Sequence, residues 1–111
     1  MPTTGAYEFR IALAAKDAVI EDENQIGLGC WAWIDRTAEV PGSRRWLMLY
    51  ARCPDCGLLC TLWRLRDDGH GHQIDAQGNL SPSVQCPHVP CGFHTQPTKL
   101  QGFVDRRAAP V

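Results

Sequence analysis

Cys53-Pro54-Asp55-Cys56-Gly57 is the stretch on which the reading of this chain turns. Two thiols separated by two residues, with proline inside the turn and glycine after it, point both sulfurs at one tetrahedral ion. Such a half-site needs a second. Cys91-Gly92-Phe93-His94 offers a thiol and an imidazole at the same gap. The inner pair, Cys56 and Cys91, brackets residues 57–90, long enough to hold a pair of strands. Cys53, Cys56, Cys91 and His94 are therefore the expected ligands. Zn2+ is the expected ion, since it takes four sulfur or nitrogen donors at about 2.0 to 2.3 Å. Cys86, in Cys86-Pro87-His88 just ahead of Cys91, is the alternate, and an all-cysteine set using it also closes the site.

The flanks of the first knuckle read as strands. Residues 46–51 (Trp-Leu-Met-Leu-Tyr-Ala) form a short apolar run that suits a buried strand. Beyond Gly57, Leu58, Cys60, Leu62 and Arg64 share one face, and Leu59, Thr61, Trp63 and Leu65 the other. Strand, knuckle, strand is the layout of a zinc-ribbon-like hairpin. Upstream, Tyr7, Phe9, Ile11 and Leu13 alternate with polar or small residues as in a half-buried strand, although the alanines there also suit a helix. Residues 26–34 read as a strand with Trp31 and Trp33 on one side. These indoles either close the core or form an exposed aromatic platform for a partner protein or for bases.

The remaining segments are punctuation. Residues 1–5 read as a loose tail and 21–25 as a solvated acidic loop, while 40–43 and 75–79 carry turn signals. Residues 66–72 form a glycine-broken loop in which His70 and His72 face solvent, with a brief strand over 72–74. Residues 80–85 feed the second half-site, 99–104 offer a closing strand, and 105–111 fray. Cys30 and Cys60 read as buried core thiols, and His88 as a neighbour of the metal site rather than a ligand.

At 111 residues the chain is one domain by size, 1–111. Within it, strands of residues 1–45 are expected to pack on a zinc-ribbon-like half at 46–105. The expected class is mostly β, small β or α+β, built on hairpins and a structural zinc site of three cysteines and one histidine. A hydrophobic fraction of 44% with 21% charged residues excludes global disorder. Net charge is -1, so a general polyanion binder is disfavoured and a nucleic-acid face would need a local arginine cluster. Six cysteines in ligand spacing, rather than as well-spaced bridges, point to reduced thiols. Residues 1–8 carry no basic signal region, and the apolar run after them stops at Lys16, so neither a secretory signal nor a membrane span is readable and a cytoplasmic protein is expected.

From about residue 47 to 103 the chain resembles a family of small, uncharacterised proteins common in bacteriophage genomes and mobile elements. The matching residues are Cys53-Pro54-Asp55-Cys56-Gly57, Leu62-Trp63, Pro82-Ser83-Val84, Cys91-Gly92-Phe93-His94 and the apolar close at 100–103. The resemblance implies a zinc-bound β fold and a phage origin. It carries no activity, because the family's role is unassigned, and Cys86 is a departure from its pattern.

Catalysis finds no support in the motifs. Catalytic zinc keeps one position open, whereas four donors at this spacing close it. A nucleobase deaminase would need His-x-Glu ahead of Pro-Cys-x-x-Cys, but Pro90-Cys91-Gly92-Phe93 is followed by His94 and no His-x-Glu occurs. The chain thus reads as a non-enzymatic, zinc-stabilised module of phage or prophage origin that binds another protein, with no small-molecule substrate and no membrane. The alternative is a nucleic-acid-binding zinc ribbon using Arg44, Arg45, Arg52, Arg64 and Arg66, and a further one is a structural component of a virion.

Overall fold

Period-two alternation places the first strand. Phe9 is buried, with Tyr7 and Ile11 packed partly buried beside it, and these residues lie in β1, Thr4–Ile11. Leu13 does not continue that face: β1 stops at Ile11, and Leu13 stands fully exposed in the following turn. The computed structural model describes residues 2–13, 15, 17–36, 47–64 and 72–106. Eight further strands follow among them. They are β2 (Val19–Ile20), β3 (Cys30–Asp35), β4 (Leu47–Arg52), β5 (Leu59–Arg64), β6 (Gln73–Ile74), β7 (Asn79–Ser81), β8 (Val84–Gln85) and β9 (His94–Leu100). The protein is mostly β, and among the described residues no helix is long and apolar enough to cross a membrane.

All nine strands join one sheet in the order β5-β4-β3-β1-β9-β7-β6. β2 runs beside β3 beyond the end of β1, and β8 runs beside β9 next to β7. β1 is hydrogen-bonded between β3 and β9 and parallel to both, so the N-terminal strand lies in the middle of the sheet. The sheet curls. Its end strands meet where the His72 N–H, one residue before β6, donates to the Leu62 carbonyl of β5 at 3.3 Å.

The curl encloses the main core. Trp31 and Trp33 enter it from β3, Leu47 and Leu49 from β4, and Ile74, Leu80, Val84 and Leu100 from the other half of the sheet. Ala32 and Ile34 alternate to the opposite face of β3, where they pack with Ala12, Ile20 and Ile26 in a smaller second core. β3 is thus apolar on both faces, which explains why its sequence shows no polar alternation. Ile26 belongs to that second core from outside the strand, so β3 is shorter than the apolar run 26–34 suggests.

Both indoles of β3 are fully buried, which removes the aromatic-platform alternative. Their N–H groups donate to the carbonyls of Gln101 at 2.9 Å and Val104 at 2.7 Å, and Phe103 packs against both rings. The expected closing strand at 99–104 is accordingly replaced. β9 ends at Leu100, the chain turns at Gln101 and Gly102, and the next residues lie across the tryptophans. In β5 the pairing jumps from Leu49↔Trp63 to Tyr50↔Thr61. This bulge lets Leu62 and Trp63 both pack on the main core, where strict alternation would separate them.

The β6–β7 turn docks on the end of β9 through Gly78, whose carbonyl accepts the Leu100 N–H at 2.8 Å. Gly78 has φ +88°, and a Cβ there would stand 2.6 Å from both the Leu100 carbonyl oxygen and the Phe103 Cβ. Gly102 has a similar φ, +70°, but no atom within 4 Å of such a Cβ. Gly102→Ala should therefore cost about 1 to 2 kcal/mol of left-handed strain, whereas Gly78→Ala should add about 1 to 3 kcal/mol of overpacking to it. Urea unfolding of the two variants measures the difference, and equal losses would contradict the close approach.

Candidate metal centre

The first knuckle occupies the bend between β4 and β5. The Cys53 N–H bonds the Leu58 carbonyl and the Gly57 N–H returns to the Cys53 carbonyl, which folds residues 53–58 into a tight loop with both sulfurs on one side. Arg52 fixes this loop from behind. Its guanidinium donates to the carbonyls of Gly57, Ile26 and Glu23 at 2.8, 2.5 and 3.1 Å. The second knuckle lies between β8 and β9, where a single 3-10 turn, Val89–Cys91, ends at Gly92 in the left-handed conformation. The Cys86 N–H bonds the Phe93 carbonyl and the Cys91 N–H bonds the His88 carbonyl.

These loops bring together the sulfurs of Cys53, Cys56, Cys86 and Cys91, all within 4.8 Å of one another. The cross-loop distances are 3.5 Å for Cys53 to Cys91 and 3.5 Å for Cys56 to Cys86. Four donors at about 2.3 Å from a central ion lie about 3.8 Å apart at the corners of a tetrahedron. The four cysteines therefore lie close enough to hold a metal ion, and none of them is in a disulfide.

His94, placed by spacing in the ligand set, is not part of this group, and Cys86 stands where it was expected. Strand geometry is the reason. Phe93 and Thr95 are buried, so the residue between them must point outward, and the His94 ring reaches the Ser83 hydroxyl at 3.1 Å. The same period works in favour of Cys86: Val84 is buried, Gln85 exposed and Cys86 buried. That alternation is legible in the sequence, beside the repeated two-residue gap at Cys91 and His94.

Each sulfur accepts a hydrogen bond from the backbone N–H two residues on: Asp55 for Cys53, Leu58 for Cys56, His88 for Cys86 and Phe93 for Cys91. His88 thus serves the site through its backbone, with its side chain exposed. These bonds favour the charged thiolate, while burial opposes it. At exposed Cys56 the Leu58 N–H, aided by the neighbouring thiols, lowers the pKa to about 6. At Cys53 and Cys86 desolvation wins and raises it. At Cys91 the Phe93 N–H pulls downward, but desolvation and the sulfurs of Cys53 and Cys56 outweigh it.

The other two cysteines are outside the four-sulfur group, although Cys60 lies beside it, next to Cys86. Burial pushes Cys60 up to about 12, and its thiol faces the Leu58 carbonyl at 3.5 Å. Cys30 packs beside the second core. His72 stacks its backbone and ring nitrogens on the Leu62 carbonyl rather than facing solvent. Arg44, Arg45 and Arg66, with the side chain of Arg64 and with His70, lie outside the described residues.

Replacing Cys86 by serine should lower metal affinity by more than the roughly 10- to 100-fold that loss of an outer partner costs. His94→Ala should leave it unchanged. Competition against a chromophoric chelator distinguishes the two, and the reverse order of effects would restore His94 to the site. No known protein family, curated protein or solved structure matches the chain.

Proposed function

We propose that this chain is a non-enzymatic β module, stabilised by Zn2+, that acts by binding another protein, with a phage or mobile-element origin suggested by its motif order. One observation carries the reading: four sulfurs from two loops, each already held by a backbone N–H, converge within 4.8 Å. Four soft donors at tetrahedral spacing suit zinc and complete its coordination. Such sites contribute on the order of 10 to 16 kcal/mol of apparent binding energy near pH 7, as much as the whole stability of a small domain. The ion then serves the fold, and function falls to the surface.

The alternative of an arginine-lined nucleic-acid face is weakened at one of its five residues. Three of the five N–H groups of Arg52 donate to backbone carbonyls, which commits its guanidinium to holding the first knuckle.

Metal analysis of purified protein should give one zinc per chain. Protonation supplies a second check. Burial and the neighbouring sulfurs hold the Cys53, Cys86 and Cys91 thiols above their ordinary range, which favours the protonated form at pH 7, while the Leu58 N–H lowers Cys56 to about 6. Zinc binding at pH 7 should then release about three protons rather than four, and affinity should climb as pH rises from 6 towards 9. Calorimetry in buffers of different ionisation enthalpy counts them, and a release near zero would contradict a thiolate centre.

Zinc-loaded chain used as bait in its host lysate should retain a partner that is lost on Cys86→Ser substitution and survives moderate salt. Retardation of short DNA or RNA at low salt, disappearing as salt rises, would instead favour nucleic acid.

A further inference from the structure

Thr3 lies between the two knuckles. Its N–H donates to Asp55 Oδ2 at 2.6 Å and its hydroxyl to Asp55 Oδ1 at 2.7 Å. Its carbonyl accepts the His94 N–H at 3.1 Å. Pro2 stands beside Gly92, where an added Cβ would meet its ring at 3.2 Å. Each of these groups is one step from sulfur. The Asp55 N–H bonds Cys53, and Phe93, next to His94, gives its N–H to Cys91 and its carbonyl to Cys86.

The geometry points to Thr3 and Asp55 as positioning residues of the metal centre, forming a strut that holds the two knuckles at sulfur-to-sulfur distance before any ion binds. This rests on the metal-centre reading above. An ion that must gather two separate loops loses part of its binding energy to ordering them, and a strut that has already joined the loops removes that cost. Residues 2–3 are therefore part of the site, although no atom of theirs is a ligand. The bonds fix the first residues of β1 against the start of β9, where Thr4 pairs with His94, so the strut continues directly into the parallel ladder.

The test uses the full chain with zinc in competition against a chelator, and Co2+ absorption as a report on the ligand set. Asp55→Ala, which removes both acceptor oxygens at an exposed position, should weaken metal binding roughly 10- to 100-fold, the range seen for outer partners of metal ligands. Its cobalt spectrum should remain that of four thiolates. Thr3→Val should lose less, because the N–H bond survives, and Thr3→Ser should retain wild-type affinity. Thr3→Val combined with Asp55→Ala should bind no more weakly than Asp55→Ala alone, since the hydroxyl has then already lost its partner. Wild-type affinity in Asp55→Ala, or simple additivity in the double variant, overturns the strut while leaving the metal centre in place. A wild-type chain that takes up neither zinc nor cobalt overturns both.

Discussion

Four sulfur atoms held within 4.8 Å are the constraint that the rest of the molecule satisfies. As bare thiolates they would repel one another, and as neutral thiols they bind nothing. The chain meets this with backbone N–H groups, one or more for each sulfur, supplied by the turns that carry the cysteines. Backbone donors are ordered by the turn itself, so no side-chain rotamer has to be frozen to provide them. Where the donors prevail, at Cys56, a thiolate exists in advance. Where burial prevails, the remaining charge can be balanced by a cation.

The fold brings the two turns together through its centre. In the sheet, β4 and β9 are separated by β3 and β1, yet the loops that follow β4 and precede β9 meet at the four sulfurs, which the curl of the sheet permits. Tyr7, Phe9 and Phe93 share the main core with Cys53 and Cys86, and their rings meet at 4.9 to 5.9 Å in edge-on and tilted contacts. Phe93 joins the two levels: its ring is in this cluster while its backbone holds Cys86 and Cys91. Burying one aromatic side chain of 150 to 250 Å² contributes roughly 4 to 6 kcal/mol before entropy is counted. Metal centre and core are one packing unit at this end of the protein.

Sequence periodicity reached the strands whose two faces differ and missed what depends on distant partners. The alternation of Tyr7, Phe9 and Ile11 and the run before Cys53 correspond to β1 and β4, and the first Cys-x-x-Cys lies in the bend between β4 and β5. Within the stretch 1–5, expected as a loose tail, Thr3 is tied down by Asp55, a residue remote in sequence, and nothing local in Pro2-Thr3-Thr4 announces that bond. Arg52 is a similar case. Its charge suggests a surface role, but three carbonyls from two loops converge on it. The bulge in β5 shifts one residue against β4 and so defeats a face assignment that assumes strict alternation. His94 falls outside the four-sulfur group for a related reason: spacing along the chain does not carry the direction that β9 imposes on its side chains.

The residues that look most like contact groups in the sequence are thus consumed by the fold, Trp31 and Trp33 inside the core and Arg52 behind the first knuckle. Among the described residues, Leu13, Leu28, Leu58, Val89 and Val104 stay exposed and apolar, and two of them belong to the knuckles. Leu58 directly follows the first knuckle and Val89 opens the short turn of the second, at 40% and 89% exposure. Their positions are set by the loops that carry the sulfurs, and those loops hold their shape through the strut and the ion. On the proposed reading, the metal therefore governs binding without touching the partner. It adds to what fixes Leu58 and Val89, and a chain that has lost it would present the same side chains on loops that only the strut still joins.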